Sequence, residues 1–224
     1  MDLSADNIRW IFIGLFTLVA SVAVHEFGHA IVAYKLGDDT PKRQGRVTLN
    51  PIAHADPIGT ILLPLVGGVM GGGGFGWGKP VQWQPHRIRR GISMSTASIL
   101  VSIAGPGMNL LLATLVATTH VILVKTGALD MSSEVHAILK FVVVTNFVLM
   151  FFNLLPVPPL DGGHVAEALV PYRHRAKFQE FAKFGPFIIL GFIMIPQFRW
   201  LFTTPAIWCA GKLYAGVAAV VGLT

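Results

Sequence analysis

Long apolar runs alternate along the chain with short stretches rich in Lys, Arg, Gly and Pro. A helix needs roughly 20 apolar residues to cross the hydrocarbon of a bilayer. The first run that qualifies extends from about Ile8 to Tyr34, long enough to cross and emerge. Others cover Ser93–Val124, His136–Leu155 and a C-terminal pair at about Phe187–Phe202 and Ala206–Leu223. Pro205 lies between the last two and favours a turn, which makes the pair, over about 187–223, a hairpin or one broken crossing. The pattern predicts an all-α polytopic membrane protein of about five to six transmembrane or re-entrant segments, forming one membrane-embedded domain over 1–224.

The region of about 45–84, between the first and second long helices, carries a different pattern. Arg46–Leu49 and Val81–Trp83 alternate like short strands. Between them Ile58–Met70 is apolar but short, and it runs into Gly71–Gly74. That length suits a re-entrant element better than a full span, and irregular backbone at membrane depth is tolerated only where protein or a watery cavity covers it. The glycine run is either a flexible loop or a mobile gate or strand platform beside a site.

Composition agrees with the pattern. The apolar fraction is 53% and only 12% is charged, about half the charged share of a soluble domain. The net charge of +6 does not indicate nucleic acid as a partner, because no basic run is interleaved with aromatic residues. In a membrane protein, excess Lys and Arg mark cytoplasmic loops. Here they cluster after the first helix (Lys35, Lys42, Arg43, Arg46), before the second (Lys79, Arg87, Arg89, Arg90) and after the third (Arg173, Arg175, Lys177, Lys183). With a re-entrant segment at about 58–72, all three clusters share one face. That face is then cytoplasmic and the N-terminus lies outside. The N-terminus lacks a net basic stretch, since Asp2 and Asp6 outweigh Arg9, so its apolar run reads as retained. The single Cys209 excludes an intramolecular disulfide and a cysteine zinc cluster.

The first apolar run contains His25, Glu26 and His29, spelling H-E-F-G-H. Helical positions i and i+4 share a face, so both imidazoles can reach one metal ion. Glu26 can take a proton from water beside that ion. Ionisable groups at a helix centre cost about 2.5–3.5 kcal/mol each on insertion scales. Such expense favours a functional site, and the spacing suits zinc. A polar patch lining a transport path is the plainer alternative. Catalytic zinc takes three protein ligands, and Asp161, in N-L-L-P-V-P-P-L-D-G-G-H, is the best candidate for the third. Pro156, Pro158 and Pro159 stop the preceding helix and leave extended backbone that can turn a carboxylate inward. Asp161 could instead merely cap the next helix, and His164 competes as a ligand.

These two motifs together resemble the site-2 protease family of intramembrane metalloproteases. The segments L-N-P-I-A-H-A-D-P-I-G-T, F-G-W-G-K-P-V and A-G-P-G-M-N also resemble its compact prokaryotic members, and the likeness covers about Val19–Leu169. The resemblance implies one zinc per chain on His25, His29 and Asp161, with Glu26 as the base and Asn153 steadying an oxyanion. It implies a transmembrane protein as substrate, the lipid bilayer as surroundings and, for a prokaryotic member, the cell (inner) membrane as location. Two departures matter: many relatives have a further helix before the zinc helix, and many carry a PDZ or CBS module, and neither fits within this sequence.

Asn153 also has a physical case, because a preorganised amide near a metal could stabilise a tetrahedral intermediate; a structural inter-helix hydrogen bond is the alternative. Asn109 and Asn146 read as inter-helix ties. His54 could approach the metal or be plain surface, and His86, His120, His136 and His174 suit interfacial positions. A non-proteolytic zinc sensor or transporter is the main rival function. A second rival class would take its third ligand from Glu167 or Glu180. Nothing in the pattern specifies an oligomer.

Overall fold

The hydroxyl of Ser4 accepts the N–H of Asn7 and opens helix α1, Ala5–Leu36, in the computed structural model, which describes residues 4–69 and 76–222. At 32 residues this helix is about 48 Å long, so it crosses roughly 30 Å of hydrocarbon and emerges. Serine caps recur: Ser93 opens α5, Met94–Lys125, and Ser133 opens α6, Glu134–Asn153. A final long helix, α10, spans Trp200–Val221. These four are long and apolar enough to cross a membrane. The protein is an integral membrane protein, all-α in its described residues, as the apolar pattern predicts.

Their packing rests on small residues. Ala113 and Ala117 of α5 meet Val143 and Phe147 of α6 and Ala206 and Ala210 of α10 in one buried cluster. Small side chains let helix backbones approach where lipid offers no hydrophobic drive between helices. The outward faces carry large apolar side chains such as Phe16, Leu115 and Trp208, all exposed on the protein by itself. At the N-terminal ends of α1 and α6, Arg9 pairs with Glu134 at 2.6 Å.

The connection from α1 to α5 begins with the one-turn helices α2, Thr40–Arg43, and α3, Pro51–His54. A π-helical turn at Pro57–Leu62 then runs into α4, Leu63–Val69. Asp56 caps this element by accepting the N–H groups of Ile58 and Gly59. Both flanks of the excursion lie together: Trp77 N–H donates to Gly59 O at 3.1 Å, and Lys79 N–H to His54 O at 2.8 Å. The element is short, and residues 77–79 run beside its start; it is not among the helices long and apolar enough to cross a membrane. The Gly71–Gly74 run falls outside the described residues.

Two expectations need correction. Neither Arg46–Leu49 nor Val81–Trp83 forms a strand. Residues 76–84 lack regular secondary structure, and the N–H groups of Trp77, Lys79, Val81 and Gln84 go to Gly59 O, His54 O, the Glu26 carboxylate and the Asp38 carboxylate. With no second strand to pair with among the described residues, no ladder forms. Arg46 is buried instead, its guanidinium donating to the carbonyls of Ala53 and Lys79. The C-terminal turn is also not at Pro205, which sits inside α10. The break comes at Ile195, forced to extended backbone by Pro196. Upstream lie α7, Asp161–Leu169, α8, Arg175–Ala182, and α9, Gly185–Met194. The ten residues of α9 reach only about 15 Å, and α9 starts against Pro158 while α10 starts with Phe202 on Phe152. Both ends of α9 thus lie near the same end of α6. Only α10 of the expected pair is long enough to cross.

Asp38 ties this connection together. Its buried carboxylate accepts the N–H of Thr40 at 3.0 Å and the N–H of Gln84. Burial alone would raise its pKa, but these bonds and Arg87 hold it below the ordinary value. A depressed folded pKa means stability that is present above the unfolded value and lost as pH falls through the folded one. Asp38→Asn should therefore destabilise the protein by about 1–3 kcal/mol near neutral pH. Thermal unfolding in detergent should show the gap to wild type closing as pH drops below about 4.

Candidate metal centre

His25 and His29 project from the same face of α1, and their Nε2 atoms are 3.0 Å apart. Asp161 meets them from the first turn of α7, with Oδ2 3.2 Å from His25 Nε2 and Oδ1 3.3 Å from His29 Nε2. Two motifs far apart in sequence thus converge, with all three donor atoms within 4.8 Å of one another. Asp161 arrives there because the backbone leaves α6 through a tight turn. A Cβ at Gly162 would collide with the carbonyl of Leu154, and one at Gly163 with the backbone at Pro158.

The outer nitrogens of both rings are already committed. His25 Nδ1 lies 2.7 Å from Asn109 Oδ1, and His29 Nδ1 lies 2.7 Å from Val101 O. Both partners are acceptors, since Asn109 uses its amide N–H groups on Ser21 O and Asn146 Oδ1. Each ring therefore carries its proton on Nδ1 and turns an Nε2 lone pair inward. Asp161 Oδ2 is buried with no hydrogen-bond partner. Two inward lone pairs and an orphaned carboxylate oxygen form a donor set that fits a divalent metal, and N/O donors of this type suit zinc. Gly105 of α5 leaves the space, because a Cβ there would overlap His29 Nε2.

Beside these groups opens a cavity of about 650 Å³. Its walls are largely apolar, from α1, α6, α9 and the extended residues 76–80, with His25, Glu26 and Asn153 among the lining side chains. Glu26 Oε2 accepts the N–H of Val81 at 3.1 Å. Asn153 donates one amide N–H to Leu149 O of its own helix at 2.9 Å. The competing ligands are placed elsewhere. His164 and Glu180 are exposed, and Glu167 does not join the converging donors. His54 is buried, but its Nε2 bonds Thr48 O and its role is to pin the connection.

Two residues read from sequence as inter-helix ties do more. Asn109 orients His25, and Asn146 orients Asn109 while donating to Ser21 Oγ at 3.0 Å and Val142 O at 2.9 Å. The available signal was a lone amide in a charge-free apolar run, at helix depth comparable to the histidines.

A family model described as peptidase family M50 matches residues 119–196. The protein YwhC of Bacillus subtilis, named as a candidate zinc metalloprotease, is 41% identical over 184 residues, covering 80% of this chain and 79% of the relative. The chain belongs to peptidase family M50, the site-2 protease family. Rip2 of Mycolicibacterium smegmatis, likewise named as a candidate zinc metalloprotease, is 35% identical over 209 residues, or 89% of this chain and 76% of the relative. Rip2 of Mycobacterium tuberculosis is 32% identical over 179 residues, or 74% of this chain and 62% of the relative. No solved structure is a match. M50 membership makes zinc the metal and metalloprotease the class, and the family match reaches Asn153 and Asp161 but begins beyond His25.

The geometry predicts graded effects on metal binding. Asn109→Ala should weaken zinc affinity by about 10–100-fold through loss of the ring's orientation, whereas Gly105→Ala should abolish binding by filling the space. Competition with a zinc-chelating dye on purified protein would measure both.

Proposed function

We propose that this protein is an intramembrane zinc endopeptidase that hydrolyses peptide bonds in or near transmembrane segments of other membrane proteins. The observation that supports this reading most is the convergence of His25, His29 and Asp161 beside a cavity that Glu26 also lines. In this reading the two Nε2 atoms and an Asp161 oxygen hold one zinc per protein molecule, and three protein ligands leave a position open. Bound zinc supplies Lewis acidity toward a carbonyl and toward water. Glu26 takes the proton of the attacking water and passes it to the leaving amine. The Val81 N–H on Oε2 fixes the carboxylate, leaving Oε1 to do so. Asn153 keeps a second amide N–H for the oxyanion, where such a donor contributes about 2.7–4 kcal/mol.

The whole of 1–224 acts as one membrane-embedded protease domain. The basic clusters lie at the C-terminal end of α1, the N-terminal end of α5 and beyond the C-terminal end of α6, all on one face of the bundle. His29 is roughly two turns from that end of α1. The site therefore opens toward the cytoplasm, with the N-terminus outside, in the cell (inner) membrane of a prokaryote. The substrate must unwind locally to expose a peptide bond, since helical amides are hydrogen-bonded.

Glu26→Gln separates this function from a sensor or transporter that needs no base. Zinc should stay at one per protein molecule by mass spectrometry, while cleavage of a reconstituted transmembrane substrate falls by at least about 100-fold. Undiminished cleavage would sink the mechanism. In Asp161→Ala zinc should be lost, and full zinc occupancy would remove Asp161 from the ligand set.

A further inference from the structure

The cavity beside the metal centre holds one cationic group that the proposed chemistry does not use. Arg199, in the turn between α9 and α10, is the only Lys or Arg among the described residues that line it. Its Nε and one terminal nitrogen donate to Ile193 O, at 3.1 and 2.9 Å, closing the C-terminal end of α9. A guanidinium carries five N–H donors, so this contact leaves most of them unused. Among the described residues no carboxylate lies within ion-pair distance of Arg199, as is also true of Arg46, Arg89, Arg90, Arg173 and Arg175; of these, Arg199 alone lines the cavity. Arg199 is half-buried beside this mainly apolar wall, and its fork geometry matches a carboxylate in a two-bond contact.

Its position is informative. Three residues on, Phe202 packs edge-on against Phe152 with ring centroids 5.2 Å apart, and Phe152 adjoins Asn153. The start of α10, and Arg199 with it, therefore lies near the end of α6 that carries Asn153, which lines the same cavity. We propose that Arg199 is a specificity determinant that receives a carboxylate of the substrate, so that the preferred substrate is an apolar segment carrying one acidic group near the bond to be cut. The carboxylate is an Asp or Glu side chain or the terminal carboxylate of the substrate polypeptide. The Ile193 contact holds the guanidinium at the cavity it lines and leaves three of its N–H groups for a ligand. This rests on the protease reading for the identity of the cavity's occupant.

The test uses full-length protein in detergent and a labelled apolar peptide in four forms: with one Glu, with Gln in its place, with Lys in its place, and as the Gln peptide with a free rather than amidated C-terminus. Binding to metal-free protein is read by anisotropy, and cleavage by zinc-loaded protein in parallel. Wild type should bind the Glu peptide, the free-acid peptide or both at least about tenfold more tightly than the amidated Gln peptide. The preferred form identifies the source of the carboxylate. Arg199→Gln should erase that preference, and Arg199→Glu should transfer it to the Lys peptide. Equal binding of all forms by wild type would overturn the proposal. So would Arg199→Gln and Arg199→Lys lowering binding of every peptide alike, which is the mark of a mere cap on α9. Charge preference without any cleavage would leave the carboxylate site standing and count against the protease reading.

Discussion

A polar side chain in hydrocarbon has to find its partners inside the protein, and here that demand sets the register of three helices. Ser21 and His25 on α1, Asn109 on α5 and Asn146 on α6 form one connected set of hydrogen bonds, and both asparagines are fully buried. The directions are mutually consistent: Asn146 donates to Ser21 Oγ, Asn109 donates to Asn146 and to Ser21 O, and His25 donates to Asn109. Sliding any helix by a turn, about 5.4 Å, would leave several of these groups unpaired at once. Individually such bonds contribute little in a membrane, about 0.6 kcal/mol on average. Their value is in excluding alternative packings, because a half-satisfied network is worse than none.

The network is possible only because the helices touch backbone to backbone. Gly28 on α1 faces the carbonyl of Ala104, where a Cβ would come within 2.6 Å. The next residue of α5, Gly105, leaves the space into which both imidazoles project. The same closeness that lets the rings reach Val101 O and Asn109 therefore also makes the void between them. Metal centre and helix packing are one arrangement, and neither could be changed without the other. The helix faces turned away from it need only be apolar, which is why Phe16, Leu115 and Trp208 have no comparable neighbours.

This division explains what was legible in the sequence. The four crossing helices follow from length and hydropathy alone, and His25, His29 and Asp161 follow from ionisable groups in apolar or proline-stopped contexts. The region from 45 to 84 was harder. Alternation in Val81–Trp83 has a real cause, since Gln82 is exposed between two half-buried neighbours, but the N–H groups of Val81 and Gln84 go to side chains, not to a second strand. Periodicity reports exposure and cannot name a partner. Pro205 misled because a proline near a helix start frees only one carbonyl, that of Leu201, whereas Pro196 acts on the residue before it and breaks the helix there. Arg199 was hidden inside an apolar run that reads as a membrane segment, and only the placement of α9 and α10 brings it to the cavity.

The cover over the metal centre is built under the same constraint as the helices. Extended backbone is tolerated at depth only where protein or a cavity covers it, and the N–H groups of Trp77, Lys79, Val81 and Gln84 go to Gly59 O, His54 O, Glu26 and Asp38. One of those partners is the group proposed as the base. Gly78 lies so close on α1 that a Cβ there would reach Val22 at 2.5 Å and Glu26 Cγ at 3.5 Å. The segment thus closes the cavity on that side and leaves its mostly apolar remainder facing α6 and α9. Charge interactions against largely apolar walls are stronger than at a solvated surface. In the proposed reading, the carboxylate of Glu26, the amide of Asn153 and the three converging donors share this largely apolar cavity.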